Sequence, residues 1–269
     1  MNVWSTYSES LVVMLVLGIV TWVYSLYKSD VSIVDSLWSI MFLAAGVYVL
    51  SAAPETSWRN YLLLFMLAVW ALRLSVFLTI RNWGKPEDRR YQQIRASNSP
   101  NFGFKSLFIV FGLQAVIAWV VFLGLLPVLY NPTSAIPLDV LAVSIWATGV
   151  LIETVADFQL HTFSSKASNQ GKVLDTGVWR YSRHPNYFGE FLVWWGFFLM
   201  AAGSGYWWTI VSPLVMTLLL FKVSGVGLME KDIENRRPGY RAYANRTNTF
   251  FPWYPKSHTN IKLEVVNHD

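Results

Sequence analysis

Charged residues are scarce in this chain of 269 residues, and cysteine is absent. Only 14% of the residues are charged, whereas ordinary globular proteins have about 25%. The chain therefore cannot cover a large water-facing surface with charge, which excludes a soluble enzyme and a disordered chain. The lack of cysteine excludes a disulfide-stapled secreted module, iron–sulfur ligation, cysteine-based zinc sites and thiol nucleophiles.

Apolar and aromatic residues are abundant instead. Hydrophobic residues make up 54% of the chain and aromatic residues 16%, with 14 Trp, and the mean hydropathy is +0.37. Trp and Tyr collect at membrane–water interfaces. Lipid-facing backbone must satisfy its own hydrogen bonds, and the sequence has no alternating barrel pattern. The composition therefore predicts an all-α, polytopic membrane protein that lies in the lipid bilayer.

Seven apolar stretches are long enough to cross a hydrocarbon core of about 30 Å. They lie at approximately 10–27, 32–53, 59–80, 104–130, 137–158, 187–203 and 205–229. The sequence GSGY at 203–206 predicts a tight turn between the last two. We expect residues 1–256 to form a single membrane domain and residues 257–269 to form a polar, mobile tail.

The distribution of basic residues predicts the orientation in the membrane. Of the 21 Lys and Arg residues, eighteen fall in one set of alternate connections, and Arg59 alone falls in the opposite set. We therefore expect the N-terminus outside and the C-terminus in the cytoplasm. This asymmetry accounts for most of the net charge of +5, so the charge gives no reason to predict nucleic-acid binding.

Ionisable residues inside apolar spans are costly and usually face a cavity or a partner. The predicted topology places six of them in the cytoplasmic leaflet, which indicates a polar cavity open to the cytoplasm: Asp35, Arg73, Glu153, Asp157, Glu190 and Lys222. As alternatives, Asp35 and Lys222 could snorkel to the interface, and Arg73 could anchor a helix end.

Glu153 and Asp157 share one helix face, where two like charges disfavour each other unless donors or a cation lie between them. This pair favours a function over a scaffold role. His161 extends the same stripe, which leaves a single-metal site as a minor alternative; with four His in the chain, we predict no metal.

The segment GKVLDTGVWRYSRHPNYFGE, residues 171–190, carries the densest polar chemistry. Arg180, Arg183 and His184 supply cationic donors just before Pro185, which suits the first turn of the sixth span. An Arg/His cluster at a helix N-terminus is typical of an anion site. A basic loop that touches lipid headgroups is the alternative, but it does not explain the acid Glu190 directly after the cluster.

The stretch NQGKVLDTGVWRYSRHPNYFGE resembles the signature of the bacterial "domain of unknown function 1295" proteins. These belong to the superfamily of steroid 5α-reductases, sterol C14-reductases and isoprenylcysteine carboxyl methyltransferases. The resemblance runs from Asp35 to the motif MEKDIENRRPGYRAYANRTNTFFPW at 229–253. It includes the superfamily motif R-H-x-N-Y-x-G-(D/E) at 183–190.

The resemblance implies a seven-helix fold whose C-terminal half, about residues 140–256, binds a nucleotide cofactor from the cytoplasm. In the reductases this cofactor is NADPH. The residues that match the cofactor-contacting pattern are Asp157, Lys166, Tyr181, Arg183, His184, Asn186, Glu190, Glu230, Arg236 and Arg237.

The resemblance also implies a substrate cavity. Steroid 5α-reductases use a Glu on span two and a Tyr on span three to polarise the substrate ketone. Asp35 takes the Glu position, while Trp70, near Arg73, takes the Tyr position, and Glu153 is expected to face the same cavity. Since Trp has no acidic proton, either Tyr187 or a water held by Asp35 is expected to protonate the substrate.

These features together predict an NADPH-dependent membrane reductase that acts on an activated C=C bond of a lipid-like, steroid- or isoprenoid-like substrate. Two alternatives stay open. The first is an S-adenosylmethionine-dependent methyltransferase of the isoprenylcysteine type, which Glu230, Tyr240, Tyr243 and the sequence FPW at 251–253 echo. The second is a non-enzymatic transporter or scaffold. The resemblance to bacterial proteins favours a bacterial inner membrane over the endoplasmic reticulum.

Overall fold

The computed structural model describes residues 2–134, 136–223, 233 and 237–256. Every regular element within these residues is helical. Three predictions fall outside the described part of the chain: the cofactor contacts of Glu230 and Arg236, and the polar tail at 257–269. The side chain of Lys222 is not described either.

Eleven α-helices follow one another within the described residues. In chain order they are α1 (Val3–Lys28), α2 (Ile33–Ala52), α3 (Trp58–Asn82), α4 (Arg89–Ser97), α5 (Phe102–Ser106), α6 (Leu113–Phe122), α7 (Leu126–Tyr130), α8 (Pro137–Ser164), α9 (Pro185–Gly203), α10 (Val211–Leu218) and α11 (Tyr240–Arg246). A π-helical stretch, Leu107–Gly112, joins α5 to α6, and a second one, Leu219–Val223, follows α10.

Among the described residues, five helices are long and apolar enough to cross a membrane: α1, α2, α3, the continuous helix Phe102–Phe122, and α8. They coincide with the first five of the seven predicted spans. Their outward faces are apolar, with Val20 on α1 and Phe65 on α3 each 62% exposed. Such surfaces suit lipid rather than water. By length and composition, the chain is therefore an integral, multi-pass membrane protein.

The fourth span ends earlier than the sequence predicts. The helix stops at Phe122 rather than near residue 130, and α7 begins only at Leu126. Pro127 lies in the first turn of α7, where its missing N–H costs no helical hydrogen bond. Gly124 lies in the break between the two helices, and a Cβ there would come within 2.4 Å of the Ser212 Cβ. The break thus lets the backbone at Gly124 approach Ser212 closely.

The last two predicted spans correspond to shorter helical segments. Helix α9 has 19 residues and begins at Pro185, as the sequence predicts. A shorter apolar helix runs over Trp207–Phe221. The predicted turn between them is present, with Gly205 at a φ of +86°, a conformation that glycine adopts without steric cost.

By its internal contacts the chain divides into two compact units, Met1–Asp139 with Phe197–Ser212, and Val140–Gly196 with Pro213–Asp269. In the first unit, α2 packs against both α1 and α3 around the fully buried side chains of Met41, Phe42 and Leu63. The sequence predicts a cofactor-binding half from about residue 140, and the second unit starts at Val140.

Candidate functional site

Two glycines bring α8 and α9 together in the second unit. A Cβ on Gly189 would lie 2.7 Å from the Gly149 carbonyl oxygen and 2.8 Å from the Glu153 backbone nitrogen. Real Cβ atoms do not approach other atoms so closely, so only glycine permits this crossing. The contact places Glu153 of α8 directly beside the first turns of α9.

Three carboxylates are buried in this part of the second unit. Glu153, Asp157 and Glu190 are only 4%, 5% and 6% exposed. The Asn186 side-chain amide donates to Asp157 Oδ1 at 3.4 Å, and the Trp194 indole N–H donates to Glu190 Oε1 at 2.8 Å. Buried carboxyl groups in an apolar helical frame require such donors, and ionisable residues within spans commonly mark functional sites.

The Arg/His cluster lies at the start of α9 in the same unit. The Arg183 guanidinium donates to the Thr249 hydroxyl. The ring of His184, which is 5% exposed, stacks on the ring of Tyr187 with centroids 5.6 Å apart. The His184 backbone N–H donates to Ser182 Oγ at 3.1 Å. These contacts fix the orientation of the side chains that the sequence predicts for cofactor binding.

The loop before α9 is fastened to α8 at Gly177. This residue has a φ of +61°, and a Cβ there would come within 2.3 Å of Gln159 Oε1. The close approach lets the Val178 N–H donate to Gln159 Oε1 at 3.1 Å. The Trp179 indole N–H donates to the Ala156 carbonyl at 3.0 Å. Gly177 is therefore needed both for the backbone conformation of this loop and for its contact with α8.

The segment that follows α11 forms hydrogen bonds with the end of the loop before α9. The Arg183 N–H donates to the Asn248 carbonyl at 2.8 Å, and Ser182 Oγ donates to the Phe250 carbonyl at 2.8 Å. Ser182 is completely buried. The sequence predictions missed this pairing.

Tyr243 also contributes to this part of the second unit, although the predicted cofactor residues do not include it. Its hydroxyl donates to the Trp179 carbonyl at 2.6 Å, and its side chain is buried. Burial raises the pKa of the Tyr243 phenol, so the hydroxyl stays protonated and keeps its role as a donor. The sequence marked Tyr243 only through its Tyr-x-x-Tyr spacing from Tyr240, which echoes the methyltransferase alternative.

Tyr181 lies at the edge of this cluster. Its carbonyl accepts from the Trp253 N–H at 3.0 Å, and its ring meets that of Tyr254 edge-on at 6.0 Å. The ring is 38% exposed, so it remains accessible to a ligand or to lipid.

Lys166 and Arg237 line one cleft of the second unit. This cleft, called the basic cleft below, has a volume of about 410 Å³ and is formed by Phe163–Ala167, Asn169–Gly171 and Arg237. The structure thus brings together two predicted cofactor residues that lie 71 positions apart in the sequence.

Asp35 belongs to the first unit, in the first turn of α2. Its carboxylate accepts from the Tyr91 hydroxyl at 2.6 Å and from Arg90 Nη2 at 2.8 Å. Burial, and then the charge of Asp35, raise the pKa of Tyr91, so the phenol stays protonated. The sequence predictions missed Tyr91, because nothing local connects it to a carboxylate 56 residues earlier.

The other predicted substrate-cavity residues of the first unit are on α3. Trp70 is completely buried and meets Phe42 edge-on, with ring centroids 5.6 Å apart. It is therefore part of the core between α2 and α3. Arg73, one turn later, is half-buried.

Within the described residues, no three His, Asp or Glu side chains are arranged to hold a metal ion. This holds for the stripe on α8 formed by Glu153, Asp157 and His161. His161 is exposed.

Comparisons with known proteins give a family but no activity. An uncharacterized protein of Schizosaccharomyces pombe is 26% identical to this chain over 279 aligned positions, which cover 91% of this chain and 79% of the relative. No solved structure matches the chain. Residues 21–247 match the family described as "Protein of unknown function (DUF1295)". Because this match spans most of the sequence, the chain belongs to the DUF1295 family.

Proposed function

We propose that this protein is an NADPH-dependent reductase in the membrane that acts on an activated C=C bond of a lipid-like, steroid- or isoprenoid-like substrate. The observation that carries the proposal is the group of buried ionisable side chains where α8 crosses α9: Glu153, Asp157, His184 and Glu190. Burying four such groups on an apolar helix pair and at the residue just before α9 is costly unless they serve a ligand or a reaction.

The donors and acceptors of the second unit fit a phosphate-bearing nucleotide. Lys166, Arg183 and Arg237 carry cationic donors that suit phosphate oxygens. Asn186 and Glu190 offer amide and carboxylate groups of the kind that bind a carboxamide or a ribose hydroxyl. S-adenosylmethionine has no phosphate, so this donor set favours NADPH. When bound, the nicotinamide would supply a hydride to the substrate.

Tyr187 is the side chain that we propose to hold the proton that the substrate receives. When one carbon of a C=C bond accepts a hydride, the other carbon or a conjugated oxygen needs a proton from a positioned acid. The Tyr187 ring is stacked on His184, which limits the directions in which its hydroxyl can point. Asp35, the other predicted residue, already accepts hydrogen bonds from Tyr91 and Arg90, which suits a structural role at the start of α2.

The proposed topology has seven spans, with the N-terminus outside and the C-terminus in the cytoplasm. Its support is the asymmetry of Lys and Arg between alternate connections. Because the chain has no cysteine, single cysteines can be introduced at two exposed positions, Glu55→Cys and Ser97→Cys. We expect a membrane-impermeant maleimide to label only the first of these in intact cells, and labelling of only the second would reverse the orientation.

The resemblance to bacterial proteins supports a bacterial inner membrane as the location. The fission-yeast relative supports the endoplasmic reticulum as the alternative.

The reductase proposal is tested by the thermal stability of the detergent-purified protein with NADPH, NADH and S-adenosylmethionine, each titrated separately. A ligand that binds only the folded state stabilises it by about 2.7 kcal/mol at a hundredfold excess over Kd. We expect NADPH to raise Tm. A shift with S-adenosylmethionine alone would assign the pocket to methyl transfer, and no shift with any of the three would move the protein towards the transporter or scaffold class.

A further inference from the structure

The basic cleft has its own local architecture. Helix α8 ends at Ser164, and the chain then turns back so that the Asn169 side-chain amide donates to the Phe163 carbonyl at 3.0 Å. The Asn169 N–H donates to the Lys166 carbonyl at 3.0 Å. Gly171 follows with a φ of +75°. The wall that carries Lys166 is therefore a hydrogen-bonded turn.

Arg237 also lines the cleft. Its backbone N–H donates to the Ile233 carbonyl at 2.9 Å, and its carbonyl accepts from the Tyr240 N–H at 3.0 Å. The guanidinium is thus carried on a turn that leads directly into α11.

The lining of the cleft is cationic and rich in donors. Lys166 and Arg237 supply the charge, and the hydroxyls of Ser164 and Ser165 and the amide of Gln170 supply neutral polar groups. None of the described residues that line the cleft carries a carboxylate. A compact dianion, such as a phosphate monoester, suits two cations and several hydroxyl donors better than a singly charged or neutral ligand does.

We propose that the basic cleft binds a phosphate monoester, and that in the proposed reductase it holds the 2′-phosphate of NADPH. This inference rests on the proposed function for the identity of the ligand. NADPH and NADH differ only in that phosphate, so the cleft is the part of the protein that selects between them. The buried cluster where α8 crosses α9 does not have to distinguish the two.

The test is isothermal titration of the purified full-length protein with 2′,5′-ADP and, in parallel, with 5′-AMP, which lacks the 2′-phosphate. Neither probe contains nicotinamide, so the result does not depend on catalysis. The variants are Lys166→Ala and Arg237→Ala. Lys172→Ala is the matched control, because Lys172 is an exposed cation of the same loop that does not line the cleft.

We expect the wild type to bind 2′,5′-ADP at least about tenfold more tightly than 5′-AMP, since each charge-assisted contact accounts for about one factor of ten. Lys166→Ala and Arg237→Ala should each remove about that factor, and Lys166→Arg should retain most of it. Lys172→Ala should change the affinity by less than about threefold, since an exposed charge that makes no contact in the cleft is screened by solvent and salt. Unchanged Tm values would show that the variants are folded.

Three results would overturn the inference: no preference for 2′,5′-ADP in the wild type, no loss in Lys166→Ala and Arg237→Ala, or an equal loss in Lys172→Ala. Equal affinity for 2′,5′-ADP and inorganic phosphate would also overturn it, by reducing the cleft to a site for free phosphate. A parallel titration with NADPH separates the two proposals. Binding of 2′,5′-ADP without binding of NADPH would leave the cleft assignment standing and overturn the reductase.

Discussion

The two units of this protein bury charge in different ways. In the first unit, Arg59 is completely buried and forms a pair with Asp139. In the second unit, three carboxylates and an Arg/His cluster gather within the stretch 153–190. Both groups lie in largely apolar helical surroundings. The first unit buries one cation with one anion. The second unit brings together several acidic and several basic side chains from two helices and a loop.

The geometry of Arg59 explains why the first arrangement is complete in itself. Its Nε donates to both carboxylate oxygens of Asp139, at 3.0 and 2.9 Å, and its Nη2 donates to Oδ1 at 2.8 Å. Nη1 donates to the hydroxyls of Thr133 and Ser204, and Nη2 also donates to the Met200 carbonyl. Each nitrogen of the Arg59 guanidinium thus donates hydrogen bonds, and these join distant segments of the first unit. The Arg59–Asp139 pair therefore has a structural role.

The second arrangement has more ionisable groups than two crossing helices need. Gly149 and Gly189 already allow the close approach of α8 and α9 without any charge. The comparison therefore predicts opposite phenotypes: removing Arg59 should cost stability, and removing the charges near the crossing should cost ligand binding.

The largest expected effect is at Arg59. Arg59→Met leaves the Asp139 carboxylate buried without its cation, which typically costs about 3–5 kcal/mol. Unfolding of the purified protein in detergent, followed by tryptophan fluorescence, measures this loss. The double variant Arg59→Met with Asp139→Leu should recover most of it, because apolar replacement of a whole buried pair is often close to neutral. A single variant as stable as the wild type would remove the distinction between the two units.

The next effect concerns ligand binding at Arg183 and Glu190. Arg183→Ala and Glu190→Gln should weaken NADPH binding by about tenfold to a hundredfold, the range of one or two charge-assisted hydrogen bonds, with Tm close to that of the wild type. Lys172→Ala is the control, since Lys172 is an exposed cation of the same loop that does not belong to the Arg/His cluster. If both variants kept wild-type affinity for NADPH, the site would lie elsewhere.

A smaller effect on stability is expected at the helix crossing. Gly189→Ala would place a Cβ 2.7 Å from the Gly149 carbonyl oxygen, and forcing extra atoms into a packed contact costs about 1–3 kcal/mol. Gly18→Ala is the matched control, because a Cβ there would have its nearest atom, the Met41 Cε, at an ordinary 3.5 Å. Gly189→Ala should lower Tm more than Gly18→Ala does. An equal change in the two variants would show that α8 and α9 can move apart at their crossing without loss of stability.

The sequence was sufficient where the signal is local. Five apolar stretches became helices that can cross a membrane, Pro185 opened α9, and Gly205 formed the turn before the last helical segment. Each of these follows from hydropathy or from the backbone preference of one residue.

The sequence was insufficient where residues far apart in the chain meet. Arg59 and Asp139 are 80 positions apart, and the sequence marked Arg59 only as an exception in the charge count. Tyr91 meets Asp35 over 56 positions, and Ser182 meets Phe250 over 68. No periodicity carries such pairings, because they depend on how whole helices pack.

The smallest predicted effect is at a partly exposed ion pair of the first unit, which extends the comparison from fully buried charge to partly solvated charge. Glu87 accepts from Arg95 Nη2 at 2.7 Å and from the Val31 N–H at 2.9 Å. Burial alone would raise the pKa of Glu87, but the hydrogen bonds and charge of Arg95 and the bond from Val31 outweigh it and lower the pKa. The carboxylate therefore stabilises the fold above its unfolded pKa of about 4.3, and this contribution disappears as the pH falls through the lower folded pKa.

Because Arg95 is 37% exposed, Glu87→Gln should cost less than about 1 kcal/mol at pH 7 and nothing at a pH well below the folded pKa. Glu55→Gln, at an exposed position, is the control, and a Tm difference between Glu87→Gln and the wild type that persists in acid would show that the pair acts through packing rather than charge.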